Sequence, residues 1–360
     1  MCCKVLCLES SYPINTRTQR IIDSLGDFKI HVCTWDRSSK KKEEMDGYSI
    51  FHTPSVGYGN RMLKLIYLVS YAFFIKGVIK REKPEIIIAS HWDMLVISAL
   101  LKRNEKLIYD NVDLPEFRLS IIEKLIIFFE YISLKRVDAT LLASRFYLQL
   151  YDNEKSIVFE NLPVKVNDCS FVQRKVGTGV VKIGFVGSVR HFELLKNLML
   201  AVNNVNNVEF HIYGDGIANS KLKEYSEQNS IQYLHFHGSF EYENISKIYG
   251  EIDVLWAAYP YKSRNVKYAI SNKFFESICF TIPCLFSVNT LLGEYVETNG
   301  IGVTVDPYSV EGIEQGILRL IRDYNQICLS LNNLRNAEDI SWNKNEKTII
   351  KLVCGLIKND

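Results

Sequence analysis

Short apolar runs recur along the first half of the chain, and segments with helical spacing separate them. The runs that predict strands are Lys4–Leu8, Ile30–Thr34, Tyr48–His52, Glu85–Ser90, Lys106–Tyr109, Ala139–Ala143 and Ile157–Phe159. Helices are predicted for Arg17 to about Leu25, with Thr16 as the cap, for Arg61–Arg81, for a segment ending near Lys102 and for Ser120–Arg136. Strands that alternate with helices predict a parallel sheet with helices on both faces.

The same alternation restarts after residues 164 to about 180, a polar segment with Pro and Gly residues that is typical of a linker. Strands are predicted at Ile183–Val186, Val208–Tyr213, Tyr233–His237, Val254–Ala257 and Pro283–Ser287, with helices near Leu194, Ser220, Ile245 and Asn272. The fold class is therefore α/β, with two Rossmann-like doubly wound domains facing across a cleft. We assign residues 1–165 and 166–340 to the domains, and 341–360 to a terminal helix packing back across them.

Composition narrows the class of protein. The chain has 360 residues, 47% hydrophobic and 23% charged, with a formal net charge of +2, so bulk charge does not favour nucleic acid. Its nine cysteines are scattered without metal-ligand spacing, which is typical of a reducing cytoplasm. We see neither the pattern of a signal peptide nor an apolar run of the roughly 18 residues that a membrane-spanning helix needs.

Two predicted helices, at 61–81 and 118–136, are unusually apolar and carry basic residues near their ends. Such a helix either packs inside the protein or lies in a membrane surface. The sequence favours the buried interpretation slightly for the first helix and leaves the second open. The basic run Lys40–Lys42 is interpreted as a solvated loop.

The stretch KIGFVGSVRHFELLKN, from Lys182 to Asn197, suggests a phosphate-binding site. An apolar strand turns sharply at Gly187 and Ser188 and leads into a helix start, where backbone N–H groups and the helix dipole favour a phosphate. Arg190 and Lys196 add two cations, which suit a diphosphate. An ordinary strand–helix junction with two solvated cations explains the same residues equally well.

Three further features follow strands in the second half. Gly214 and Gly216, and also His237 before Gly238, come where a strand ends, and such glycines permit close backbone approach to a ligand. The segment SNKFFES opens a helix, and its acid Glu276 could accept both hydroxyls of a ribose. Each feature alone is compatible with an ordinary turn or an exposed acid. Together they supply partners for a diphosphate, a ribose and a base at one rim of one sheet.

The chain resembles a family 4 glycosyltransferase of the GT-B fold, over essentially its whole length. The blocks that carry the resemblance in order are FVGSVRHFELLKN, YGDG, FHGSF, IDVLWAAYP, NKFFESICFTIPCLFS and IGVTVDP. The opening SSYPINTRTQRI, TWDR, HWD and IYDNVD resemble members that build bacterial surface polysaccharides, such as capsule, O-antigen or exopolysaccharide. The ordered recurrence of the blocks indicates fold and class but not the sugar.

The resemblance implies roles for individual residues. Arg190 and Lys196 would hold the donor diphosphate and stabilise the leaving group, and Glu276 would bind the ribose. The implied donor contacts are completed by Gly187, Ser188, Gly214, Gly216, His237, Ser271, Asn272 and Lys273. The resemblance also implies retention of anomeric configuration, no metal and no cofactor, with the nucleotide sugar (UDP- or GDP-sugar) as co-substrate.

Two positions depart from the family's pattern. The family often has a pair of glutamates, and the first is replaced here by Tyr268. It also often has a histidine in the first domain, where this chain has Val112. Asp110, Asp113 or His91 are candidates to replace that histidine, and Arg17, His91 and Asp113 are our acceptor-side candidates. A structural role is at least as compatible with each of them.

The implied acceptor is a glycan or a polyprenyl-diphosphate-linked sugar, and the implied location is the cytoplasm, peripheral at the inner face of the cell membrane. Membrane-surface contact would run through 61–81 and 118–136, and no nucleic acid is expected. Two alternatives remain open, a nucleotide-sugar 2-epimerase and a non-catalytic glycosyltransferase-like partner subunit. A dinucleotide oxidoreductase is disfavoured, because no G-x-G-x-x-G follows the first strand.

Overall fold

The structure is a computed structural model and describes residues 3–38, 45–53, 61–117, 119–151, 154–164 and 179–358. The described chain divides into two compact units, one of residues 1–161 with 343–360 and the other of residues 162–342. Most of the predicted linker and the basic run Lys40–Lys42 lie outside the described residues.

Within the described residues, the first unit has a seven-stranded sheet of order β3-β2-β1-β4-β5-β6-β7, and all its strand pairs are parallel. The strands are β1 (Lys4–Leu8), β2 (Lys29–Asp36), β3 (Tyr48–His52), β4 (Ile86–Ser90), β5 (Lys106–Asn111), β6 (Ala139–Leu142) and β7 (Ser156–Val158). The helices are α1 (Thr16–Ser24), α2 (Arg61–Glu82), α3 (His91–Leu101) and α4 (Ser120–Leu134), with a 3-10 helix at Arg145–Gln149.

Within the described residues, the second unit has a six-stranded parallel sheet of order β10-β9-β8-β11-β12-β13. The strands are β8 (Val181–Val186), β9 (Val208–Tyr213), β10 (Leu234–Gly238), β11 (Val254–Ala257), β12 (Cys284–Ser287) and β13 (Val303–Val305). The helices are α5 (Phe192–Asn204), α6 (Asn219–Gln228), α7 (Ile245–Glu251), α8 (Arg264–Tyr268), α9 (Asn272–Phe280), α10 (Leu291–Asn299) and α11 (Val310–Ala337), with a 3-10 helix at Tyr242–Asn244. The edge strand β10 is irregular, because its register with β9 shifts between Phe236 and Gly238.

The last helix, α12 (Trp342–Lys358), belongs almost entirely to the first unit. Its Asn345 is buried and donates a hydrogen bond from Nδ2 to the backbone oxygen of Glu160, at 2.6 Å. Ile349 and Val353, both fully buried, lie on the same side of the helix four residues apart. The terminal helix therefore covers part of the first unit's core.

Apolar strand runs form the two cores. Every residue of β4, β6, β11 and β12 is buried, as expected for central strands of a parallel sheet with helices on both faces. The prediction that Thr16 caps the first helix is wrong. The side chain of Asn15 accepts the hydrogen bond from the Thr18 N–H, at 2.8 Å, and Thr16 is the first helical residue.

Helix α2 is apolar on two sides, and only one of them is buried. Tyr71 and Ile75 are fully buried, and the helix contacts β1, β2 and β3. Ile66, Val69 and Phe73, at helical spacing on the other side, are 62–71% exposed. The helix is therefore a packing element, as the buried interpretation expected, but it also leaves an apolar side exposed.

Helix α4 is unusual because it buries polar residues and exposes apolar ones. Glu130 and Ser133 are buried, and Glu130 Oε1 accepts hydrogen bonds from the hydroxyls of Tyr109 and Tyr151, each at 2.8 Å. On the other side, Leu125 and Phe128 are more than half exposed. Among the residues described here, no helix has the apolar length to cross a bilayer.

Helix α11 packs closely on the edge of the second sheet, and this contact generates a stability prediction. A Cβ at Gly316 would lie 2.1 Å from Cγ1 of the buried Val305 in β13. Gly316→Ala should therefore destabilise the second unit by about 1–3 kcal/mol through overpacking. Thermal unfolding should show a midpoint lower by several degrees.

Gly250 in α7 of the same unit is the matched control, because no described atom lies within 4 Å of the position of its Cβ. Gly250→Ala should raise stability slightly, by about 0.4–1 kcal/mol, because alanine restricts the unfolded chain. Equal effects of the two substitutions would contradict the close contact of α11 with β13.

Candidate functional site

The turn after β8 and the loop after β9 are joined through their backbones. Gly187, with φ of +140°, donates its N–H to the Tyr213 carbonyl at 2.8 Å. Val189 donates to the Asp215 carbonyl at 3.0 Å, and its own carbonyl accepts the N–H of Ala218 at 3.1 Å. The two segments that the sequence singled out therefore form one structure at the carboxyl ends of neighbouring strands.

The glycines of the second loop are required by this contact. The N–H of Gly214 donates to the Gly238 carbonyl at 2.7 Å, and a Cβ at Gly214 would lie 1.9 Å from the Gly187 carbonyl oxygen. A Cβ at Gly216 would lie 2.3 Å from the Val189 carbonyl oxygen. At both positions the absence of a side chain lets the backbones of the two loops approach each other. Gly187 itself has no described atom within 4 Å of its Cβ position.

Arg190 and Lys196 have different partners in the structure. Arg190 is exposed and donates from Nε to the hydroxyl of Ser188, at 3.0 Å. Lys196, on α5, holds Glu193 Oε2 at 2.5 Å and lies 5.7 Å from the centroid of the Phe192 ring. The hydrogen bond from Lys196 lowers the pKa of Glu193. Lys196 is therefore paired within its own helix, whereas Arg190 lies on the Gly187 turn.

The amino terminus of α9 presents a positive dipole end. Its N-cap residue, Ser271, makes no side-chain capping hydrogen bond, and the first turn from Asn272 carries no acidic residue. The Ser271 hydroxyl oxygen is buried without a hydrogen-bond partner among the described residues. It lines a cavity of about 70 Å³ together with Tyr259 and Thr290. This helix end can accept an anion.

Glu276 lies one turn further along α9 and is only 6% exposed. Its Oε2 accepts hydrogen bonds from Lys273 Nζ, at 2.6 Å, and from the hydroxyl of Tyr249. Burial and the negative charge of Glu276 raise the pKa of Tyr249 well above its usual value, so this hydroxyl remains a donor. The sequence analysis placed Lys273 and Glu276 together but missed Tyr249, which is buried on α7.

Tyr259 is a second residue that the sequence analysis missed. It follows β11, which neighbours β8 at the point where the strand order of this sheet reverses. Burial raises the pKa of Tyr259, the negative charge of Glu276 raises it further, and the positive charge of Arg190 opposes both. The Tyr259 ring centroid lies 6.4 Å from that of His191, the residue after Arg190, and Tyr259 lines the same cavity as Ser271, so it lies between the Gly187 turn and the amino terminus of α9. Its position two residues after a buried strand was the available signal.

His237 lies on β10, at the edge of the sheet. Its Nε2 is 3.0 Å from Nδ1 of His211, and its ring stacks on that of Tyr213 with 4.0 Å between the centroids. Burial lowers the pKa of His237 and of His211. The structure therefore places His237 in a cluster of aromatic side chains on β9 and β10, beside Gly238.

In the first unit, Arg17 is held inside the protein. It is 3% exposed and binds Asp110 with Nε at 2.9 Å and Nη2 at 2.7 Å, while its guanidinium carbon lies 5.0 Å from the Phe159 ring centroid. This bidentate ion pair joins α1 to β5. Asp113, two residues beyond β5, is exposed. Of the two, only Asp113 is accessible to an acceptor.

His91 lies at the first residue of α3 with φ of +69°, and its Nε2 is 3.7 Å from Glu9 Oε1. Glu9 follows β1, is fully buried, and accepts hydrogen bonds from Thr18 and Asn15. Burial raises the pKa of Glu9, and the charge of His91 opposes this rise. The sequence analysis did not single out Glu9, although an acid directly after a buried strand was a signal. Because β1 and β4 flank the reversal of strand order, this pair occupies the position where such sheets bind ligands.

Comparison with known proteins supports the class of enzyme. Residues 181–323, within the second unit, match a family model described as Glycosyl transferases group 1. No curated protein sequence matches the chain significantly.

Solved structures show the fold. A sucrose-phosphate synthase from Thermosynechococcus elongatus is 12% identical, with 99% of this chain and 100% of that one aligned at a TM-score of 0.76. HepE from Anabaena, in complex with UDP, is 13% identical over 98% of this chain and 100% of its own, at a TM-score of 0.71. WaaG, a glycosyltransferase involved in lipopolysaccharide biosynthesis, is 13% identical over 96% and 98%, at a TM-score of 0.66.

The two Rossmann-like units have the GT-B architecture of these structures, as the sequence predicted. The matched family covers the unit in which the Gly187 turn, Arg190 and the amino terminus of α9 lie. The chain is therefore a glycosyltransferase of the GT-B type.

Proposed function

We propose that this enzyme transfers a sugar from a UDP- or GDP-sugar, with retention of configuration and without a catalytic metal, to a glycan or polyprenyl-diphosphate-linked acceptor. The product would be part of a bacterial surface polysaccharide. The main support for the donor site is geometric: Tyr259 follows β11 where the strand order reverses, its ring lies near that of His191 beside Arg190, and it shares a cavity with Ser271 at the amino terminus of α9.

The diphosphate would bind at this convergence. The exposed Arg190 is a cation on the turn itself, and α9 offers a helix amino terminus without an acidic residue in its first turn. Lys196 would reach the phosphates by exchanging Glu193 for a phosphate oxygen. A diphosphate carries more negative charge than one carboxylate, so the exchange is favourable when the donor binds.

The ribose would bind to Glu276. Both hydrogen bonds described for this carboxylate, from Lys273 and Tyr249, go to Oε2. Among the described residues, no hydrogen bond reaches Oε1 of Glu276. We propose that this oxygen accepts a hydrogen bond from a ribose hydroxyl. Lys273 and Tyr249 would fix the orientation of the carboxylate before the donor arrives.

Leaving-group stabilisation would supply the largest catalytic contribution. Breaking the bond to the donor sugar places negative charge on the departing diphosphate, and Arg190 and Lys196 would neutralise it. The acceptor proton would pass to a departing phosphate oxygen. On the first unit, Arg17 is committed to Asp110, which leaves His91 and the exposed Asp113 as acceptor-side candidates. We favour His91, which lies with Glu9 where the strand order of that sheet reverses.

The comparisons support these choices of substrate class. HepE has been crystallised with UDP, with UDP and glucose, and with UDP-glucose, which supports a UDP-sugar donor. WaaG and the lipopolysaccharide outer core galactosyltransferase WaaB, which is 14% identical over 96% of this chain, support an acceptor in surface-polysaccharide synthesis.

A membrane-bound acceptor is supported by the exposed apolar faces of α2 and α4. Crossovers between parallel strands are almost always right-handed, and those from β3 to β4 and from β5 to β6 run in the same direction across the sheet, so we expect both helices on one face. On α2, the exposed Lys76 and Lys80 continue the stripe of apolar residues, and basic groups attract anionic lipids. We therefore propose a cytoplasmic protein that is peripheral at the inner face of the membrane.

Donor binding is tested first by thermal shift and hydrolysis with UDP-, GDP-, ADP- and CDP-sugars. We expect one nucleotide class to raise the unfolding temperature, and Glu276→Ala to abolish the rise, because the ribose loses its acceptor. Glu251→Ala is the control, since Glu251 is an exposed acid that binds Tyr213 in the same unit. Epimerised sugar from donor alone would indicate a 2-epimerase, and binding without hydrolysis or transfer would favour a partner subunit.

Lys196→Ala should lower turnover by about 10²-fold or more, by analogy with removal of one group that stabilises transition-state charge. The matched control is Lys221→Ala, because Lys221 Nζ lies 4.1 Å from the centroid of the same Phe192 ring on which Lys196 packs. Steady-state transfer assays on the purified variants decide the point. Wild-type turnover of Lys196→Ala would show that the lysine has no catalytic role.

Membrane contact is tested by flotation with vesicles of phosphatidylglycerol and phosphatidylcholine. The double variant Phe128→Ser with Phe129→Ser should bind anionic vesicles about tenfold or more weakly, because two half-exposed rings lose apolar burial. The control double variant is Leu318→Ser with Leu329→Ser, whose side chains on α11 are 56% and 59% exposed. Equal loss in both variants, or no binding by the wild type, would contradict the proposal.

A further inference from the structure

Polar and aromatic side chains cover one face of the second sheet at its β10 edge. Strand β9 contributes Glu209, His211 and Tyr213, and β10 contributes His235 and His237; alternate residues of a strand face the same side. His211 and His235 are direct partners in the register of the two strands. The side chains of three histidines and one glutamate thus lie on the same face of two adjacent parallel strands.

Three of these groups are spaced as ligands of one cation. Glu209 Oε2 lies 3.1 Å from Nε2 of His211 and 3.8 Å from Nε2 of His235, and all three ligand atoms lie within 4.8 Å of one another. A tetrahedral zinc ion with bonds of about 2.0–2.2 Å keeps its ligand atoms about 3.3 Å apart. The distances from Glu209 Oε2 to the two histidine nitrogens, 3.1 Å and 3.8 Å, lie on either side of that value.

The burial of the three groups suits an open metal site. The His211 side chain is 9% exposed, Glu209 is 25% exposed and His235 is 46% exposed. The inner ligand is therefore fixed by packing, while the outer one can rotate and solvent can reach the centre. Imidazole with carboxylate suits zinc and neighbouring transition metals, whereas calcium and magnesium prefer oxygen ligands alone.

A second shell is also present. His211 Nδ1 lies 3.0 Å from His237 Nε2, so a cation on His211 Nε2 leaves the Nδ1 proton to be donated to His237. The His237 ring stacks on Tyr213, whose hydroxyl donates to Glu251 Oε2 at 3.0 Å. These contacts would hold the His211 ring in the orientation that ligation requires.

We propose that Glu209, His211 and His235 bind one divalent transition-metal cation of the zinc class, with solvent in the fourth position and His237 as the positioning residue. The cation joins β9 to the edge strand β10 and determines which nitrogen of His211 carries the proton. The inference does not depend on the identity of the donor.

The test uses the tag-free full chain after removal of metals with a chelator. Titration with Co²⁺ should give the visible absorption of tetrahedral coordination, saturating at one ion per chain, and Zn²⁺ should displace it. Calorimetry gives the Zn²⁺ affinity. Nitrogen-15 NMR of the histidine rings should show His211 changing to the Nδ1–H form when Zn²⁺ is added.

Glu209→Gln and His235→Asn should each weaken binding of Zn²⁺ by well over about tenfold, and His237→Asn should weaken it by about tenfold, as second-shell changes do. His52→Asn, in the first unit, is the control and should bind as the wild type does. Circular dichroism establishes that each variant is folded. Absence of saturable uptake, uptake that Glu209→Gln and His235→Asn leave unchanged, or an unchanged His211 tautomer would each overturn the proposal.

Discussion

The candidate donor site depends on three loops that bind one another through their backbones. Gly187 donates to Tyr213, Gly214 donates to Gly238, and Val189 exchanges hydrogen bonds with the loop after β9. The loops approach so closely that no side chain fits at Gly214. This constraint holds the turn that carries Arg190 at a constant position relative to three strand ends. A site for a highly charged ligand needs such rigidity, because loosely held N–H groups and cations of the protein would have to reorganise when the ligand binds.

Much of the fold could be predicted from the pattern of apolar residues. The bounds predicted for β3, β9 and β11 agree with the structure, since each is a short stretch rich in β-branched and aromatic residues. The three-residue strand β13 was not predicted, because so short a run has no detectable period. The cap of α1 was misassigned by one residue, which lies within the usual uncertainty of helix ends.

The candidate site was predictable only where its members lie close together in sequence. Arg190 with Ser188, and Lys273 with Glu276, are separated by two or three residues and were found. Glu9 with His91, and Tyr249 with Glu276, were missed, because strand order and helix packing bring those distant residues together. The glycines at 214 and 216 were found, but their reason was not, since a sequence does not show which backbone comes near.

The register shift in β10 has a consequence for association between copies of the chain. An edge strand presents unpaired backbone groups that can add a strand from another molecule, and regular, flat edges do so most readily. In β10 the hydrogen-bond ladder breaks between Phe236 and Gly238, and the side chains of His235 and His237 are exposed. A strand arriving from a second molecule would find a short, interrupted template. The irregular edge therefore disfavours growth of this parallel sheet by the addition of strands from other molecules.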